Sequence, residues 1–171
     1  MTALCPICQQ PIIQPSGNPA SKILVISSQP TEDDLKFGIS FKGEYGVILR
    51  TEFAKYGMDL FQMRMTCLWL HKIIAKSQDK DSKHFQWHFE QVIHECLNKK
   101  AILMLGTDVT HVFLNKHSST ELSGLIMKSD MLSADIVMGT RNPLDLLSGT
   151  HGEFTLAIQK FANAIQKEGL Y

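Results

Sequence analysis

The order of apolar and amphipathic segments predicts an α/β fold, a three-layer α/β/α domain around a central, mainly parallel sheet of four strands. Two observations carry this. Ile23–Ile26 and Ala101–Gly106 (AILMLG) are unbroken apolar runs, the pattern of strands buried on both faces. Around them lie stretches whose apolar residues recur at helical spacing, so strands and helices alternate along the chain. At 171 residues the chain has the length of one domain, residues 1–171, with a substantial core.

The elements follow in order. Residues 1–20 open with CPICQQPI and read as a segment either pinned by a metal or loose, with Pro11–Ala20 an irregular connector. After the first strand, SSQP (Ser27–Pro30) forms a sharp exit, because Pro30 fixes its own φ and lacks a backbone donor. An acidic turn, Glu32–Asp34, and a loop rich in Gly and Phe, Phe37–Gly46, come next. Val47, Ile48, Phe53 and Tyr56 mark a helix over Glu44–Tyr56, stopped by Gly57. Phe61, Met63 and Met65 alternate with polar residues as a short strand ending near Cys67. A polar loop spans Lys76–Lys83, followed by an amphipathic helix from Lys83 to Leu97. Thr107 or Asp108 can cap a helix after the AILMLG strand. Ile136–Met138 is the fourth strand, leading into Gly139–Leu147, and Phe154, Ile158, Phe161 and Ile165 form one stripe of a final helix.

Lysine plus arginine equal aspartate plus glutamate at 17 each, so the whole molecule has no strong field for polyanions. The lysines between Arg64 and Lys100 read first as a solvated face and second as a contact for a DNA backbone. No apolar run approaches a membrane span, and the amino terminus lacks the basic-then-apolar order of a signal peptide. A cytoplasmic protein without structural disulfides is expected.

Cys5 and Cys8 have the spacing that presents two thiolates to one metal. Cys67, His71, His84 and His88 are alternatives for the two remaining places, and His84 and His88 share a helical face. Cys96, among Val92, Ile93 and Leu97, reads as a buried apolar thiol. In open parallel sheets ligands sit at the carboxyl ends of strands, where SSQP lies. The acids after it would repel a phosphate and suit water activation, or simply favour a first helical turn. No GxSxG elbow is present for a serine hydrolase.

Four motifs in order, IxxSQPTEDDLKFGISFKGEYG, MTCLWLHK, AILMLG and TRNPLDLL, give the chain a resemblance to the uracil-DNA glycosylase superfamily. It is most similar to the family-four enzymes and their X-type relatives. Those proteins have GEAPG or GEQPG after a strand, a G-x-PF-x-G-xx-G loop, a strand end containing TN, an LG strand and a late HPS loop. Gln29-Pro30, the Phe41–Gly43–Gly46 spacing, Ile102–Gly106 and Asn142-Pro143 match the first, second, fourth and fifth of these. The likeness covers nearly the whole chain.

The resemblance implies a protein that binds a flipped pyrimidine in single- or double-stranded DNA and hydrolyses its N-glycosidic bond, with replication or repair proteins as further partners. It places Gln29, Asp33, Asp34 and Asn142 as catalytic residues. Phe41 would stack on the base, although core packing is its plainer reading, and Thr66 or Cys67 would stand where relatives read the pyrimidine edge. Ser28, Pro30 and Arg141 would line the same nucleotide site. An iron–sulfur cluster of the [4Fe-4S] type is implied at Cys5 and Cys8, with zinc as the alternative because the remaining ligands include histidine. Ser27-Ser28 stand in place of the family's GE, Thr31 in place of Gly, Cys67 in place of Asn and Leu144 in place of Ser. A thiol cannot copy an amide's paired donor and acceptor, and Asn142 lacks the imidazole needed for the X-type covalent trap. Two classes follow, a glycosylase and a catalytically weakened DNA-binding module on the same fold.

Overall fold

The computed structural model describes residues 3–73, 82–115, 122–143 and 151–171. Residues 76–81 of the polar loop expected over Lys76–Lys83, and Leu144, lie outside these described residues.

Among the described residues the sheet has six strands, not four, in the order β1-β3-β2-β4-β6-β5. Its centre consists of β2 (Ile23–Ser27), β3 (Arg64–Cys67), β4 (Ala101–Leu105) and β6 (Ile136–Thr140), all paired in parallel. The two added strands, β1 (Ser16–Gly17) and β5 (Ile126–Met127), pair antiparallel at the edges and make the sheet mixed. Strands of two residues carry no periodicity, so the sequence gives no sign of them.

Among the described residues five helices flank the sheet: α1 (Glu32–Phe37), α2 (Glu44–Ala54), α3 (Lys83–Cys96), α4 (Thr107–Leu114) and α5 (His151–Lys167). Alternation along each strand divides the core in two. Ile23, Val25, Met65, Leu103 and Met138 meet Leu49 and Phe53 of α2 and the Phe154, Ile158, Phe161, Ile165 stripe of α5. Leu24, Ile26, Ile102, Met104 and Val137 meet Phe85 and Val92 of α3 and Val109 and Phe113 of α4. Each of these buried apolar side chains contributes about 1.5–3 kcal/mol of transfer free energy, which is why both faces of β2 and β4 are apolar.

Several boundaries differ from expectation for local reasons. The strand expected from Phe61 begins at Arg64, because Asp59 accepts from Phe61 N (2.9 Å) and winds Leu60–Gln62 into a 3₁₀ turn. Gly106, not Thr107 or Asp108, occupies the N-cap of α4, with φ at 97°. The acidic turn is a true helix, α1, because Thr31 and Asp34 close a reciprocal capping box. The connector after Pro11 is also ordered. Ile13 N donates to Leu70 O (2.7 Å) and Ser40 N to Gln14 O (2.9 Å), so the amino-terminal segment runs along the β3 edge. Among the described residues no helix is long and apolar enough to cross a membrane.

Candidate metal centre and strand-end cleft

The amino-terminal turn, the end of β3 and the first turns of α3 converge on one point. Cys5 Sγ and the ring nitrogens of His71, His84 and His88 all lie within 4.8 Å of one another, a group able to hold a metal ion. The three Nε2 atoms stand 3.0, 3.1 and 3.2 Å apart, and Cys5 Sγ is 3.4 Å from His84 Nε2 and 4.0 Å from His88 Nε2. Cys8, on the exposed side, brings its Sγ to 3.3 Å from His71 Nε2. Each neutral imidazole nitrogen holds either one proton or one lone pair, so three nitrogens at this spacing cannot all satisfy one another. A cation at their centre can.

The electrostatics agree. Burial pushes the His88 imidazole down to about 3, with repulsion from His71 and His84 adding to it, and burial followed by repulsion from His71 lowers His84. The His84 and His88 rings are therefore held in the neutral form, the one that ligates metals. His71 Nδ1 faces the Lys72 carbonyl at 3.0 Å. A carbonyl only accepts, so Nδ1 carries the proton and the Nε2 lone pair points into the cluster. Leu70 N donates to His88 Nδ1 (3.3 Å), which puts that ring's proton on Nε2, so for Nε2 to ligate an ion the proton must move to Nδ1 and this contact must give way. Trp69 packs against all three imidazoles, with centroids 5.0–6.5 Å away.

Beside this cluster, past the end of β2, a cleft of about 370 Å³ is lined by Gln29, Pro30, Thr31, Glu32, Asp33, Glu44, Tyr45 and Lys72. Lys72 pairs with Glu32 across it, and Gln29 Oε1 accepts from Ile73 N (3.3 Å). The loop below it is under backbone strain. Phe41 adopts φ +59°, a left-handed conformation that bulky side chains rarely hold. Buried Asp34 fixes that loop, accepting Lys42 N (2.6 Å) and Gly43 N (3.1 Å) on Oδ1 and Thr31 N (2.9 Å) on Oδ2. Gly46 is required beneath it, since a Cβ there would stand 1.9 Å from Phe41 O.

The sequence-derived candidates divide accordingly. Gln29, Pro30 and Asp33 share the cleft. Asp34 is fully committed to holding the loop, so its carboxylate is structural in this arrangement. Phe41 is buried and meets Tyr45 edge-on with centroids 6.3 Å apart. Thr66 and Cys67 are sealed in the sheet, and the Cys67 thiol lies 3.0 Å from Ser27 Oγ with burial raising it to about 12. Cys67 therefore stands apart from the metal group, which takes His71 instead. Ser28 donates to Asp108 Oδ2 (3.0 Å), and Arg141 pairs with Glu153 (2.7 Å). Asn142 follows β6 and sits beside Gly106 at the end of β4. Parallel pairing brings the ends of β2, β3, β4 and β6 to one edge of the sheet, so Ser28, Cys67, Gly106 and Asn142 lie on the same side of the molecule.

Sequence reasoning missed Tyr45, Glu44 and Lys72. Lys72 was grouped with a solvated face, although its place directly after a candidate ligand was a usable signal. No family model matches this chain, and no curated protein matches it significantly.

Proposed function

We propose that the chain is a DNA glycosylase-type hydrolase that takes a flipped pyrimidine, uracil or a modified relative, into the strand-end cleft and cleaves its N-glycosidic bond. One observation carries this reading: a left-handed phenylalanine, held in strain by a buried carboxylate, sits directly beside a cleft lined by the exposed acids Asp33 and Glu44. Strain of about 1–3 kcal/mol persists where the surrounding structure fixes it, and it collects at functional sites. Tyr45, braced by Phe41, supplies the aromatic wall that an extrahelical base needs. Asp33, exposed in the cleft, holds the attacking water, while Asp33 and Glu44 together favour positive charge building on the sugar. Water adds to the anomeric carbon as the carbon–nitrogen bond breaks, Asp33 takes the water's proton, and the base leaves as an anion, with Asn142 at the same strand-end edge of the sheet as the residue assigned to meet it.

The companion proposal is that Cys5, His71, His84 and His88 hold a single zinc-type ion, not an iron–sulfur cube. Tetrahedral zinc with bonds of about 2.0–2.1 Å to nitrogen and 2.3 Å to sulfur sets ligand atoms about 3.3–3.6 Å apart. The spacings of 3.0–3.4 Å, with one at 4.0 Å, suit that shell. A four-iron cube carries its outer ligands on separate irons, and donors already at hydrogen-bond distance leave no room for it. The ion's role is to fix the amino-terminal segment against β3 and α3.

A second reading, a DNA-binding module without cleavage, is favoured by Thr66 and Cys67, which carry no side-chain amide to read a pyrimidine and are both buried. One assay separates the two. Incubation with uracil-containing single- and double-stranded oligonucleotides, followed by alkali, should yield strand scission that Asp33→Asn abolishes. Absence of scission on uracil, hydroxymethylated and mismatched pyrimidines leaves only the binding module.

A further inference from the structure

The metal group and the cleft share a wall. His71 reaches the cluster through Nε2, and its other nitrogen donates to the carbonyl of Lys72. Lys72 then lines the cleft and pairs with Glu32 from α1, and the next backbone N–H, of Ile73, donates to Gln29 Oε1. Three consecutive residues thus run from ligand to cleft wall, each with a directional contact. Within residues 71–73 these contacts tie the wall to the cluster and to the cleft's other side, since β3 has already ended at Cys67.

We propose that His71 is a positioning residue as well as a ligand: with an ion on Nε2, its Nδ1–H holds the Lys72 carbonyl and so sets the Lys72–Ile73 wall against Gln29 and Glu32. An occupied centre keeps the ring from rotating, and a ring that cannot rotate keeps its Nδ1–H on the carbonyl. Emptying the centre frees the ring, and the wall loses its fixed end while the core of the sheet stays intact. The inference deepens the cleft reading, since the wall belongs to that cleft, but it requires no chemistry there.

The test is amide hydrogen exchange at Ile73 in the full chain, with metal content measured alongside. In the zinc-loaded protein Ile73 should exchange slowly, and stripping with a chelator should speed it about two- to tenfold, the equivalent of one net hydrogen bond. Amides within β2 and β4 should be unchanged. The His71→Cys variant sharpens the distinction, because a thiolate can ligate but cannot donate to Lys72. It should retain one zinc per chain and yet show Ile73 exchange as fast as the stripped native protein. Equal exchange at Ile73 in loaded and stripped native protein overturns the proposal, and so does native exchange in a zinc-holding His71→Cys chain. Should His71→Cys lose the ion, the loaded and stripped native protein decide alone. A chain that fails to cleave DNA but shows the metal-dependent exchange retains this inference and loses only the glycosylase reading.

Discussion

Replacing Asp34 with alanine should lower folding stability by about 3–5 kcal/mol, although the residue lies next to a candidate catalytic acid. The figure follows from what its carboxylate holds. It accepts Thr31 N on Oδ2 as half of a capping box, and losing such a cap costs about 1 kcal/mol. It also accepts Gly43 N, whose burial leaves that donor without water, at about 1–3 kcal/mol. Lys42 is exposed, so its N–H can turn to solvent, and that bond counts at about 1 kcal/mol. With an m-value of about 2 kcal/mol per molar urea, the unfolding midpoint should fall by about 2 M with an unchanged slope, read by circular dichroism. Asp33→Asn, one residue away and exposed, should shift stability by no more than about 0.5 kcal/mol. A loss below about 1 kcal/mol for Asp34→Ala would refute the argument that this carboxylate clamps the Phe41 loop.

Other outcomes follow from the same geometry. Gly46→Ala must push its new methyl against Phe41 O, so the loop should shift at a cost of about 1–3 kcal/mol by urea denaturation, and oligonucleotide binding by fluorescence anisotropy should weaken with it. Burial holds the Cys67 and Cys96 thiols protonated to about 12, against 9.0 for an ordinary thiol. Between those values the unfolded chain binds fewer protons than the folded one, so their contribution lowers stability as pH rises from 9.0 toward 12 and is absent below. Urea midpoints at pH 8 and 10 check the sign. Iodoacetamide at pH 8 should modify Cys8 in the metal-stripped folded protein and spare Cys67 and Cys96, and equal labelling of Cys67 would contradict its placement in the sheet.

The parts of this molecule legible in the sequence are those whose signal is local and repeated. The unbroken runs of β2 and β4 report burial on both faces, and the stripes of α3 and α5 report one buried helix side. Two-residue β1 and β5 exist only through pairing with β3 and β6, which no window of their own residues encodes. The start of β3 fell at Arg64 and not at Phe61 because the Asp59 cap is a side-chain contact and not a periodicity. At the metal group, helical spacing placed His84 and His88 together, but choosing His71 over Cys67 depends on the chain leaving β3 between them. Cys67 is the last residue of the strand and turns into the sheet, whereas His71 lies beyond it and is free to meet Cys5. Asp34 looked like an acid available for chemistry, and its role became visible only with the three backbone donors that surround it.

The most direct measurement on the centre formed by Cys5, His71, His84 and His88 is metal analysis of the freshly purified chain together with its visible spectrum. One zinc per chain and a colourless solution are the predicted result. Iron and sulfide in cluster amounts with a visible absorption band, or a folded chain that takes up no metal from zinc-containing medium, would contradict it.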